Sequence, residues 1–226
     1  MLSARDVSHA YGSLRALDRI TFTLDRGQTL AIFGPNGAGK TTLLKVLAGL
    51  IQPRHGTVQL AGGRRAIGWI GHQSQLYGPL TVVENLLFWA SLSDVPKATR
   101  RARADELIGR LGLERQAHQP ARTLSRGQAQ RAAIARALVH DPSVLLLDEP
   151  FTGLDRVAAE ELRRLLGELA AAGRATVLVT HNVEEGTELA SDIAFMRAGH
   201  FVAFGPRAGR DAVALAAAYR EAGGGG

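Results

Sequence analysis

The chain has 226 residues, 46% apolar and 21% charged, with 27 basic and 21 acidic side chains for a formal net charge of +6. These proportions fit a globular domain with a sizeable core and exclude a disordered chain. The lack of cysteine removes disulfides, cysteine-ligated metal and thiol catalysis, and no apolar run approaches the roughly 18 residues of a spanning helix. The opening Met1-Leu2-Ser3-Ala4-Arg5-Asp6 lacks the apolar stretch of a signal peptide. The expectation is a soluble intracellular protein. Of the 27 basic residues 24 are arginine, and residues 97–136 hold ten basic side chains against three acidic ones. Such a segment fits nucleic acid, acidic lipid or a phosphorylated ligand, but a solvated arginine-rich helix face is the simpler account.

Strand-like stretches at 2–7 and 20–24 open the chain, followed by a buried strand at 29–33. A glycine-rich loop at 34–39 leads into a helix over 40–50, closed by Pro53. Two further strands are predicted at 57–60 and 66–70. The pattern turns helical from 82 to 113, and another helix fits 127–139, stopped by Asp141-Pro142. Strands at 144–147, 175–179 and 193–196 then alternate with helices at 156–172 and 183–190; Leu162, Leu165, Leu166 and Leu169 share one face of the first. Alternation of this kind predicts a mainly parallel sheet covered on both faces, with an inserted helical subdomain interrupting it. Residues 223–226 read as a flexible tail.

Gly34-Pro35-Asn36-Gly37-Ala38-Gly39-Lys40-Thr41 fits G-x-x-x-x-G-K-[ST] without a mismatch, between a strand and a helix. The glycines let backbone N–H groups turn toward phosphate oxygens, and the helix N-terminus adds partial positive charge. Lys40 is placed to reach the β- and γ-phosphates, and the Thr41 hydroxyl to help hold Mg²⁺. In Val144-Leu145-Leu146-Leu147-Asp148-Glu149 a buried strand delivers two carboxylates to its C-terminal edge. Asp148 can support Mg²⁺, and Glu149 can orient or deprotonate a water. Alone, an acidic pair after a strand is only a loop start; beside a phosphate loop it is specific. His181 ends a third strand, in reach of a γ-phosphate if that strand joins the same sheet.

Between these motifs lies Leu124-Ser125-Arg126-Gly127-Gln128, opening a helix. Together the motifs resemble those of the ATP-binding cassette (ABC) ATPases over essentially the whole chain. The resemblance implies an α/β fold of the P-loop NTPase type, with a mainly parallel core sheet, an N-terminal antiparallel β-subdomain and an inserted helical subdomain. One domain would span 1–226: core and β-subdomain at 1–75 and 140–222, helical subdomain at 76–139. Tyr11 matches the residue that stacks on adenine, and residues 34–41 with Thr42 match the phosphate loop. Ser125, Gly127 and Gln128 match the signature that meets ATP held by an opposite subunit, and Gly153-Leu154-Asp155 the dimer-contact loop. Gln73 matches the glutamine of the loop joining core to helical subdomain, expected to serve both Mg²⁺ and catalysis. Glu149 and His181 match the catalytic glutamate and the switch histidine. One departure stands out: Arg126 occupies a position that is usually glycine, and its side chain is expected to point to solvent.

The implied function is an ATP-binding and ATP-hydrolysing subunit, with ATP and Mg²⁺ as ligands. The implied partners are a second ATPase subunit, most simply a second copy, and integral membrane subunits; nucleic acid is not expected. Such a subunit sits peripherally on the cytoplasmic side of the cell membrane. Leu76, Tyr77, Leu86, Leu87, Phe88 and Trp89 follow Gln73 where relatives receive helices from the membrane subunits, and Tyr77 or Trp89 is the candidate to line that groove. Gly71-His72-Gln73-Ser74-Gln75-Leu76-Tyr77, with Leu80-Thr81 beyond it, is similar to the haem-exporter ATPases of bacterial cytochrome c maturation. Haem export is therefore the expected task, with His72 read as a polar residue beside the coupling loop and not as a haem ligand. The alternatives are another exporter (lipid-linked sugar, drug or ion) and a soluble ATPase acting on ribosomes or DNA.

Overall fold

A computed structural model describes residues 2–71 and 74–207. The chain forms β1 (Leu2–Tyr11), β2 (Leu14–Leu24), β3 (Thr29–Phe33), α1 (Lys40–Leu47), β4 (His55–Leu60), β5 (Ile67–Ile70), α2 (Val82–Leu92), α3 (Lys97–Arg110), α4 (Arg126–Leu138), β6 (Val144–Asp148), α5 (Arg156–Ala171), β7 (Ala175–Val179), α6 (Val183–Leu189), β8 (Asp192–Arg197) and β9 (His200–Pro206). Strands β2-β1-β4 make an antiparallel sheet, and β5-β6-β7-β3-β8-β9 a second sheet that is parallel up to β8. The expected mixed α/β architecture is the observed one, with three helices inserted between β5 and β6.

The central parallel strands β3, β6 and β7 are buried along their whole length and mostly apolar because both faces are covered, with Thr29, Asp148 and Thr176 the buried polar residues among them. Leu145, Leu147 and Leu178 pack with α2, α3, α4 and α5 on one side, while Val144, Leu146, Val177 and Val179 pack with α1 and the antiparallel sheet on the other. Leu162, Leu165 and Leu166 are buried beneath α5, with Leu169 packed beside them.

Several boundaries differ from the sequence expectation. The helix from 40 ends at Leu47, not 50: Gly49, at φ 66°, closes it as Gly49 N donates to Val46 O and Leu50 N to Lys45 O. The single helical stretch over 82–113 is two helices. Thr81 and Glu84 form a capping box at α2, Pro96 precedes α3, and Gly112 (φ 59°) ends α3 in the same way as Gly49 ends α1. Strands β1 and β2 are longer than predicted because they bulge: Asp6 and Arg19 take φ 51°, their amides donating to Thr21 Oγ1 and Ser8 Oγ. Strand β9 was not predicted at all; it pairs with β8 through a turn of Ala198 and Gly199, both at positive φ. The expected tail at 223–226 lies outside the described residues.

Candidate functional site

The phosphate loop leaves β3 where side chains have no room. A Cβ on Gly34 would collide with the Met196 carbonyl oxygen, and one on Gly39 with the Ala16 carbonyl oxygen and, at 2.8 Å, with Met196 Cε. Gly37 and Gly39 also adopt φ 81° and 105°, the left-handed region that glycine alone enters without strain. Ala38, buried, closes the turn by donating its N–H to Pro35 O at 3.2 Å, while Asn36 is exposed. Gly39 caps α1, whose own first turn carries no acidic residue, so the positive helix end faces the loop. Lys40 Nζ donates to Gly34 O at 2.6 Å and Pro35 O at 2.9 Å, lying along the loop. Burial holds the Lys40 ammonium below the usual lysine range, partly opposed by the charges of Glu149 and Asp148. Thr42 is half-buried on the same first turn.

Strand order carries the other groups to this edge. Ile32 of β3 and Asp148 of β6 are both in register with Val179 of β7, so three neighbouring strands end together. Thr41 Oγ1 donates to the Asp148 carboxylate at 2.9 Å, and Asp148 is buried. Glu149 turns sharply at φ 53°, its amide donating to Val179 O at 2.9 Å. That turn brings its carboxylate to His181 Nδ1, also at 2.9 Å. The structure thus brings together residues 34–42, Asp148, Glu149 and His181.

Other predicted residues lie around this centre. Tyr11, half exposed at the β1–β2 hairpin, meets His9 edge-on at 4.9 Å between centroids. Its hairpin reaches the loop through Ala16, the neighbour of Gly39. Ser125 and Gln128 form a capping box at α4, with Ser125 N donating to Gln128 Oε1 at 2.9 Å. Gly127 approaches Gly153 O, and Asp155 caps α5 through Ala158 N at 2.9 Å. These hydrogen bonds stay within the signature and dimer-contact segments and do not reach residues 34–42. Gln73 and His72 lie outside the described residues. Arg126 is exposed, as expected, but its side chain lies back across Gly153, where a Cβ would come within 2.7 Å of its Nε. Arg126 also lines, with Ser74, Gln130, Asp148, Glu149 and Thr152, a cavity of about 200 Å³.

The donor set suits a nucleoside triphosphate with Mg²⁺. Thr41 and Asp148 offer adjacent hard oxygen donors, and among the described residues no cluster of three His, Asp or Glu would hold a metal without phosphate oxygens. Sequence reasoning missed the backbone of Ala16 and Met196, which crowds the loop, and Gln130, whose Nε2 donates to Pro150 O at 2.8 Å beside Glu149. Trp89, one of the two groove candidates, lines a groove of about 470 Å³ between the sheet and the inserted helices; Trp69, Arg64, Arg136 and His140, which line it too, were not anticipated. Tyr77, 47% exposed, stacks edge-on against Phe88 near it. No helix among the described residues is long and apolar enough to cross a membrane.

The sequence model of the ABC transporter family matches residues 17–152. A probable sulfate/thiosulfate import ATP-binding protein, CysA, of Chlorella vulgaris is 38% identical over 209 residues, 88% of this chain and 89% of its own. A Nod factor export ATP-binding protein I of Ralstonia nicotianae is 36% identical over 214 residues, 91% of this chain and 67% of its own. This chain spans 58% of some longer bacterial relatives. The solved dimer of an ATP-binding cassette in a post-hydrolysis state, bound to ADP and Pi, superposes with a TM-score of 0.86 at 29% identity, over 92% of this chain and 100% of that one. With the phosphate loop, the acidic strand end and the histidine strand end on one sheet edge, the chain belongs to the ABC transporter family as an ATPase domain.

Proposed function

We propose that this chain is the ATP-binding and ATP-hydrolysing subunit of an ABC transporter, working as a pair of cassettes against membrane subunits. The observation that carries the reading is the convergence of Lys40, the Thr41–Asp148 pair and the Glu149–His181 pair at three adjoining strand ends. In this reading residues 34–42 wrap the phosphates by backbone N–H groups, and Lys40 exchanges its two carbonyl acceptors for phosphate oxygens. Thr41, Asp148 and Gln73 hold Mg²⁺, which supplies charge neutralisation at the phosphates when bound. Glu149 accepts a proton from the attacking water, and His181, fixed by that same carboxylate, donates toward the γ-phosphate. Tyr11 stacks on adenine. Ser125, Gly127 and Gln128 of one subunit close over ATP held by the other, with Asp155 at the contact between them; the dimeric solved neighbour supports this arrangement. The helical unit at 76–139 and the groove beside Trp89 face the membrane partner.

The haem-export expectation finds no support in the relatives, which by name import sulfate/thiosulfate or export Nod factor. Its motif also includes His72 and Gln73, outside the described residues. The cargo reading the comparisons favour is sulfate/thiosulfate import, resting on the relative aligned over 89% of its own length.

The test is Glu149→Gln. Hydrolysis should fall at least roughly 100-fold, ATP binding should persist, and a dimer should accumulate with ATP. Unchanged hydrolysis would refute the role of Glu149. Tagged Glu149→Gln recovered with ATP from solubilised native membranes should bring down membrane subunits. A sulfate permease supports the importer reading, an exporter subunit or cytochrome c maturation proteins redirect the cargo, and ribosomes or DNA-bound proteins alone refute transport.

A further inference from the structure

We propose that Arg163 is a positioning residue for the Glu149–His181 pair, gripping from α5 both segments that carry it; this rests on the catalytic reading above. The pair is held by little of its own. The His181 side chain is 76% exposed, and Glu149 sits in a left-handed conformation unfavourable for a non-glycine residue. Each lies on a segment that must be anchored elsewhere.

Arg163 touches both anchors. On the Glu149 side, Phe151 is buried two residues on, and the Arg163 guanidinium lies 5.6 Å over its ring. On the His181 side, α6 begins two residues later and is only seven residues long, too short to hold its place alone. Arg163 Nη2 stands 3.6 Å from Glu185 and Nε 3.3 Å from Glu188, both on α6, while Nη1 is fixed at 2.7 Å by Glu160 on its own helix. The Arg163 and Glu185 side chains are only 23% and 20% exposed, so the attraction is partly shielded from water. Burial pushes the Glu185 carboxyl up, Arg163 and His181 hold it down, and Glu149 and Glu188 add to the rise. Arg163 is thus the cation that lets a carboxylate sit beside the catalytic pair. Close packing of Gly186 on Phe33 sets the depth of α6, but the arginine ties it laterally to the Glu149 segment. Only a planar, forked cation can lie on Phe151 and reach three carboxylates at once.

The test uses the full chain and two readouts. The ring Cε1–Hε1 resonance of His181, assigned by its loss in His181→Ala, reports the pair without turnover; ATP hydrolysis at limiting and saturating ATP separates kcat from KM. Arg163→Met should move the His181 resonance and lower kcat roughly tenfold with KM for ATP within about twofold. Arg163→Lys should recover part of kcat, and Glu185→Gln should reproduce the Met pattern more weakly. A cooperatively folded Arg163→Met protein with an unmoved His181 resonance and wild-type kcat overturns the proposal, as does a loss confined to KM. If Arg163→Met does not fold, Glu185→Gln decides by the same readouts. Wild-type hydrolysis in both Glu149→Gln and His181→Ala would remove the catalytic reading itself; loss in those two with Arg163→Met unaffected would remove only the role of Arg163.

Discussion

Three glycine-to-alanine substitutions separate steric, conformational and propensity effects around one loop. At Gly37 an added Cβ meets nothing within 4 Å, but φ is 81°; the cost is conformational, about 1–2 kcal/mol. At Gly34 the backbone is not left-handed, but the Cβ would collide with the Met196 carbonyl oxygen, so the ends of β3 and β8 must part. With backbone on both sides the cost falls at the upper end of overpacking, about 3 kcal/mol. At Gly167, exposed in mid-α5 with open space around it, alanine should stabilise by about 0.5–1 kcal/mol. At about 2–4 °C per kcal/mol for a chain of this size, Gly37→Ala should lower Tm by about 2–8 °C and Gly34→Ala by about 6–12 °C, while Gly167→Ala raises it slightly. Urea unfolding at a common m-value supplies the matching free energies. Gly34→Ala should also weaken ATP binding, since parting the ends of β3 and β8 displaces the start of the phosphate loop. Equal losses at Gly34 and Gly37, or a destabilising Gly167→Ala, would refute the reasoning.

Lys40 predicts a pH effect on binding. Its folded-state pKa lies below the ordinary 10.5, so the proton is lost early as pH rises and the neutral amine no longer pairs with phosphate. ATP affinity measured by titration calorimetry should therefore decline on the alkaline side before pH 10.5; a constant affinity up to that value contradicts it. Arg136 is 5% exposed, lies 4.9 Å over Trp89 and donates to Trp69 O, and burial pushes its guanidinium down to about 10. Arg136→Ala, which leaves both a void and an unpaired carbonyl, should cost about 2–4 kcal/mol in chemical unfolding, and Arg136→Met, which keeps the volume, about 2 kcal/mol less. Equal losses would mean that charge, not packing, governs the site. Arg126→Gly should leave ATP affinity of the isolated chain within about threefold, because Arg126 lies on Gly153 and not on residues 34–42. A larger change would show that its charge acts on the nucleotide within one subunit.

What the sequence made legible was what local pattern dictates. The strands at 29–33, 144–147 and 175–179 are predominantly apolar runs, broken only by Thr29 and Thr176, because both faces are buried, and each ends at its motif. Features built by long-range contact were hidden. Residues 8–11 did not read as strand because Ser8 and Thr21 hydroxyls replace ladder bonds at the bulges. The β8–β9 turn uses Ala198 at φ 47°, where asparagine or aspartate would have signalled it. The 2.9 Å meeting of Glu149 and His181 depends on β7 lying beside β6, an order no local pattern states. Arg163 looked like one more charge on an amphipathic helix, because its partners on α6 and after β6 are distant in sequence.

The basic segment at 97–136 is explained by the same distinction between composition and placement. A nucleic-acid face needs cations free to meet phosphates along a surface. Here Arg101 pairs with Asp105 at 2.9 Å, Arg103 with Glu106 at 2.7 Å and Arg110 with Glu168 of α5 at 2.7 Å. Arg100 donates to Val95 O, Arg131 to Leu111 O and Gly112 O, and Arg136 is buried beneath Trp89. Arg101 and the Arg103–Glu106 pair stay within α3, whereas Arg110 ties α3 to α5, Arg131 ties α4 to the end of α3, and Arg136 ties α4 to β5 and α2. The charge of these six side chains is thus engaged within the fold by neighbouring carboxylates, carbonyl oxygens and the Trp89 ring, and is not set out as a row of free cations for phosphates.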